Sequence, residues 1–310
     1  MDRLIRERAI TLGNTLDSST LHTYTSTITS YLTFMRAHNF PVSPSEDTIS
    51  YYIVYMSHHI SPHSVTTYLS GIVQQLEPFY PSIREIQHSR LVQRTLQGCM
   101  KTCTVPTQHK QALPLSELSQ IVAHYYQSPP SHDDLLFVTL LLTGFFTLLR
   151  LGEMVFPDDK NLRNWRKISP RCTTSISTDG YHFELPFHKA NRFFADNEIL
   201  ITRGQTEIDP ILHFSNYINS CNALMPLHSA LWLRADGTVP TRSFFIRRFH
   251  LFFRSDFGGQ SMHAGGATFL AELGTPPSLI QARGRWSSDA FLIYIRKNPA
   301  LLINLITAQR

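Results

Sequence analysis

Cysteine is scarce in this 310-residue chain: there are four, at Cys99, Cys103, Cys172 and Cys221, without the spacing of a disulfide-stapled scaffold. That excludes the small secreted disulfide classes and predicts a reduced, intracellular protein. Cys99 and Cys103 share a helix face, but no nearby histidine pair completes a zinc site. Both read as ordinary helix residues, and no metal site is expected. Long apolar runs are lacking too. The longest, 135–149, contains Thr139, Thr143, Gly144 and Thr147 and falls short of the ~20 residues that span a bilayer. The opening MDRLIRERAI is charged and has no signal-peptide core. No internal repeat and no low-complexity segment is visible, and no basic import cluster stands out. A soluble protein without membrane association is expected.

What is present is a chain with 42% hydrophobic residues, enough for real cores, and a net charge of +5. The length favours two domains at roughly 100–200 residues each. Most of the positive excess falls after residue 105, which favours anionic partners. Residues 1–105 read as a small all-helical domain. Leu21, Tyr24, Ile28, Tyr31, Leu32 and Met35 form a helical stripe behind a Ser18-Ser19-Thr20 cap. ISYYIVYMSHH, SPHSVTTYLSGIVQQL and RLVQRTLQGCMKT continue the helical pattern between Pro/Ser turns. The stretch TCTVPTQHKQALP has two prolines and no periodicity, so 106–113 is the expected linker. The second domain, 114–310, starts with helices, and 135–149 is apolar on all sides and therefore buried. Tyr181, Phe183, Leu185 and Phe187 alternate with polar residues, which predicts a strand. The turn HKANRFFADN then leads to a second short strand, EILI. Helices follow. The fold class expected is mainly α with a small β-sheet.

Several residues carry chemistry, and each has a plain structural reading beside it. Arg150, expected at the end of the apolar helix, and Glu153, one turn later, suit an ordinary ion pair. They equally suit an arginine fork aimed at a phosphate. Lys189, where strand gives way to turn, is either solvated or a general acid. Trp286 and Tyr294, in GRWSSDAFLIYIRKNP, are either core aromatics or a donor and a nucleophile. The stretch GGQSMHAGGATFLAELG reads as a helix with Met262, Gly266, Phe269, Leu270 and Leu273 on its buried side. Gln260 and His263, three apart, are neighbours at its polar entrance, and two glycines behind them allow a close approach.

The order of these elements is more specific than any one of them. Arg-x-x-Glu after a buried helix, a lysine on a hairpin, GQSMHAGGAT, IQARGRWSS and YIRKNP together resemble the tyrosine recombinases (phage-integrase family). The nearest likeness is to recombinase-like proteins of mushroom-forming fungi. There the opening stretch runs GHSLRAGGAT. The resemblance covers nearly the whole chain. It implies a helical, SAM-like core-binding domain followed by an integrase-like catalytic domain that breaks and rejoins DNA. It further implies Tyr294 as the nucleophile forming a 3′-phosphotyrosyl link, with neither metal nor other cofactor. Arg150 would bind the nonbridging oxygens with Glu153 orienting it, Lys189 would protonate the leaving oxygen, and Trp286 would donate from its indole N–H. Gln260 and His263 occupy the family's His-x-x-Arg positions. Gln260 cannot shuttle a proton, and His263 carries charge only in part at an ordinary pKa near 6.5. Catalysis is therefore expected to be weakened, and favoured by mild acid if a bound phosphate keeps His263 protonated.

The resemblance implies a clamp on double-stranded DNA. Lys101, His109, Lys110, Arg242, Arg247 and Arg248 are candidate phosphate contacts. His63, Thr66 and Thr67 sit on a helix expected to face the groove. The tail PALLINLITAQR reads as a short apolar helix that docks either on its own domain or on a neighbouring protomer, giving a homo-oligomer, a tetramer on paired sites. Three functions stand open: strand exchange, DNA binding without chemistry, and nicking and resealing of the type IB topoisomerase kind. A nuclear location follows from the DNA partner and the fungal likeness.

Overall fold

A computed structural model describes residues 18–103, 110–186, 198–203, 206–253, 256–286 and 292. The chain divides into two compact units, 1–108 and 109–310.

In the first unit the apolar stripes of four helices meet in one core. These are α1 (Ser18–Ala37), α2 (Glu46–Ser57), α3 (Pro62–Leu76) and α5 (Arg90–Thr102), joined by the short α4 (Ile83–His88). Tyr31, Met35, Tyr52, Ile53, Val65, Ile72 and Val92 are its sealed centre. The rings of Tyr31 and Tyr52 meet edge to face at 5.6 Å. Ser45 starts α2 with a reciprocal capping box, its hydroxyl accepting from the Thr48 amide. The expected cap at Ser18-Ser19-Thr20 lies instead within the first turn of α1.

The second unit is built around one helix. α6 (Leu115–Tyr125) leads to α7 (His132–Phe146), then α8 (Leu151–Met154). α7 is capped by Ser131, whose hydroxyl accepts from the Asp134 amide. It is apolar on all sides because α6 and two later helices cover it, α9 (Pro210–Leu224) and α11 (Ser261–Glu272). Three antiparallel strands lie in the order β1 (Ser175–Ile176), β2 (Gly180–Glu184) and β3 (Glu198–Thr202). Phe183 pairs with Ile199 and Tyr181 with Ile201. The sheet is tied to α7 by the buried Thr143 and Tyr181 hydroxyls, 2.9 Å apart. Tyr181 also stacks on Phe214 of α9 at 3.8 Å. Helices α10 (Arg242–Phe249) and α12 (Pro277–Arg283) complete the described elements.

Four further expectations change. α7 stops at Phe146 rather than at 149, because Leu148 turns into the left-handed region at φ 55° and breaks the ladder. Arg150 is therefore the N-cap of α8, not the end of the buried helix. Residues 110–113, read as linker, lie on the second unit, where Gln111 and Leu113 donate their amides to the Asp256 and Ser261 carbonyls. Finally, α11 is buried all round over its first two turns while Leu273 is exposed, so the single stripe expected there is not what packs. Among the described residues no helix is long and apolar enough to cross a membrane.

Candidate active site

The two glycines of AGGAT explain how the site closes. A side chain at Gly265 would strike the Leu113 carbonyl, and one at Gly266 the Phe145 carbonyl. Only glycine lets α11 lie directly on α7 and on the strand-like stretch before α6. What approaches closely is the chain's own backbone. This contact sets the start of α11 beside the α7–α8 turn.

At that turn Glu153 holds three groups at once. Its Oε2 accepts the Arg150 amide at 2.8 Å, which caps α8. Its Oε1 lies 3.4 Å from Arg150 Nη1. Its Oε2 also lies 3.5 Å from Nη2 of Arg285, the arginine of the GRW stretch, which no spacing singles out as a site residue. One carboxylate thus stands between two guanidiniums. The Arg150 side chain is 42% exposed and Arg285 17%. Burial pushes the Arg285 guanidinium below its usual range, opposed by Glu153.

Arg285 reaches this place through a helix end. After α12, the Arg285 amide bonds back to the Ala282 carbonyl and the Trp286 amide to Gln281 at 3.2 Å, a Schellman pattern. Its left-handed residue is normally glycine, yet here it is Arg285 at φ 53°, while Gly284 is right-handed. The arginine costs about 1–2 kcal/mol of backbone strain there. Gly284 serves a different need, since any side chain on it would run into the Trp286 indole.

His263 and Gln260 part company. Gln260 is exposed at the N-cap of α11 and makes no side-chain cap. His263 is buried, and its Nδ1 donates to the Leu148 carbonyl at 2.6 Å. A carbonyl only accepts, so the proton sits on Nδ1 and Nε2 is an acceptor in the neutral ring. Burial pushes its pKa down to about 4, the Leu148 bond opposing and the Arg150 and Arg285 charges reinforcing it. In place of the partly charged imidazole expected, the site without a bound phosphate holds a neutral one. The ring lies 4.5 Å from that of Trp286. Trp286 packs on a small cluster of Leu148, Ala267 and Ile280, which Leu292 also joins.

The structure thus brings together Arg150, Glu153, His263 and Trp286, and adds Arg285. Lys189 and Tyr294 lie outside the described residues, as do His109 and the C-terminal tail. Of the candidate DNA contacts, Lys101, Arg242, Arg247, His63 and Thr67 are exposed, and Thr66 is half-buried with its hydroxyl on the Pro62 carbonyl at 3.3 Å. Lys110 lies beside Gly258. Arg248 is engaged elsewhere: its Nη2 lies 3.6 Å from Asp133 and its guanidinium 4.2 Å above the Phe244 ring.

No protein-family model and no curated protein sequence matches the chain. Solved structures do. The Tn1549 transposon integrase in complex with circular intermediate DNA is 15% identical with a TM-score of 0.57, covering 100% of this chain and 98% of that one. XerH site-specific recombinase bound to difH substrate, a pre-cleavage complex, is 13% identical with a TM-score of 0.58. That match covers 94% of this chain and 79% of XerH. A lambda integrase tetramer bound to a Holliday junction is 14% identical with a TM-score of 0.54, over 94% of this chain and 75% of that one. The mainly helical fold with its small three-stranded sheet is the integrase-like tyrosine recombinase fold.

Proposed function

We propose that this protein acts on double-stranded DNA as a tyrosine recombinase, catalysing site-specific recombination or integration at a reduced rate. The observation that carries the proposal is Glu153 holding both Arg150 and Arg285 beside the His263–Trp286 ring contact at the start of α11. Tyr294 is the nucleophile: its phenol gives its proton to solvent as its oxygen attacks phosphorus, the bond to the 5′ oxygen breaks, and that oxygen takes a proton from Lys189. Leu292, two residues before Tyr294, packs on the cluster beneath Trp286, which supports a tyrosine near these groups. The neighbours' complexes with DNA, one a tetramer, support a DNA partner and a homo-oligomer, and to the apolar tail PALLINLITAQR we assign its assembly.

The rate is low because the His-x-x-Arg positions hold Gln260 and the neutral His263. Losing one preorganised donor costs about 10²–10³ in rate. That same neutral His263 favours a second reading, a DNA-binding clamp with the recombinase fold and no chemistry. On either reading the DNA partner and the likeness to fungal recombinase-like proteins support a place of work in the nucleus.

The test is a covalent adduct. Duplex pools with 5′-bridging phosphorothiolates provide a leaving group that needs no general acid. An adduct that vanishes with Tyr294→Phe establishes the enzyme. An adduct formed only after Gln260→His and His263→Arg establishes the silent clamp, and none in either form overturns both catalytic ancestry and activity.

A further inference from the structure

Arg285 is the described side chain in this neighbourhood whose burial its partners do not account for. Nε and Nη2 are buried and, among the described residues, have no hydrogen-bond partner within ordinary geometry, Glu153 Oε2 lying at a long 3.5 Å from Nη2. These two donors run along one edge of the guanidinium, the fork that suits two oxygens of a phosphate. Arg150, Arg285 and Glu153, with His263 neutral, leave one positive charge over, so an anion completes the balance. The left-handed backbone at Arg285 is a strain that glycine would relieve, and such outliers gather at binding sites.

We infer that Arg285 is the second phosphate-binding guanidinium of this site, gripping a nonbridging oxygen of a DNA phosphodiester together with Arg150. The inference rests on the recombinase reading for the identity of the phosphate, but not for the anion site itself. His263, at the position where the resemblance has an arginine, is then a packed neutral ring that shapes the site. The positive charge arrives instead from the turn after α12, carried to Glu153 by the fold. The step itself is unchanged: Arg285 forms and breaks no covalent bond, and stabilises charge on the oxygens while the phenol displaces the 5′ oxygen.

Two readouts on the full chain decide this. The first is stabilisation by inorganic phosphate at constant ionic strength, read as the rise in Tm. Arg285→Gly removes the guanidinium and relieves the backbone, Arg285→Lys keeps the charge, and Arg203→Gln is an exposed control. Arg285→Gly should weaken phosphate roughly tenfold or more, Arg285→Lys less, and Arg203→Gln not at all. Unchanged phosphate stabilisation in Arg285→Gly overturns the inference. The second readout is adduct formation on a phosphodiester and on a methylphosphonate, whose methyl group removes the oxygen's charge. A phosphate-binding role predicts a loss of about 10²–10³-fold on the phosphodiester that largely disappears on the methylphosphonate. A merely structural role lowers both alike and overturns the inference. Arg285-dependent phosphate binding without any adduct overturns the recombinase activity and leaves the anion site standing.

Discussion

At His263 the chain packs an imidazole as a buried, neutral ring. The native imidazole is held near a pKa of about 4, below the ordinary value near 6.5. As pH falls from about 6.5, the unfolded chain takes up this proton and the native one does not. Stability contributed by the neutral ring is therefore full above about pH 6.5 and is lost toward about pH 4, on the order of 3 kcal/mol. Denaturant titrations across that range should show the decline, flattened in His263→Gln. Any adduct rate, for the same reason, should not rise between about pH 8 and about pH 6. The identities at 260 and 263 were legible from the sequence, because a motif needs only spacing. Burial and the Leu148 bond were not, since Leu148 is remote in the chain. Arg285 stood in plain view inside GRW, but nothing local says that its fork meets Glu153.

Elements came through the sequence where periodicity is regular. α3, α5 and the β2–β3 pair lie within a few residues of where the patterns put them. The end of α7 did not, because an all-apolar run has no polar face whose loss marks a terminus. There the left-handed Leu148 decides, and it turns the chain so that Arg150 caps α8 over Glu153. The α7–α11 contact makes its own prediction. Gly266→Ala gains about 1 kcal/mol of helix propensity but drives a methyl into the Phe145 carbonyl. The net loss should be about 1–3 kcal/mol in urea unfolding, with DNA chemistry falling as α11 lifts. If Gly266→Ala is as stable as the parent, the close approach is not what glycine serves.

Over the whole molecule the net charge of +5 supports binding to a polyanion, and its sources are unequal. Arg247 is exposed on α10, whereas Arg248 joins Arg234 on Asp133 at the start of α7. Arg247→Ala should weaken DNA binding at low salt and reduce the slope of log affinity against log salt by about 1. Arg248→Ala should instead lower stability by about 1 kcal/mol and leave that slope unchanged. The division into two units was visible in composition, at the proline-containing stretch after α5. The residues just beyond it, 110–113, were misread as linker because backbone bonds to a distant segment leave no trace in local sequence.

By itself the sequence determined the helical character of both parts, the short sheet, the order of the chemistry-bearing residues and the identities Gln260 and His263 at a helix entrance. All of these are written in local spacing and residue type. Tertiary structure alone decided which charges the site holds. It buried His263 into neutrality and gave Glu153 two arginines, Arg150 and Arg285. Charge state and convergence depend on desolvation and on neighbours far away in the chain, and those exist only once the helices have packed.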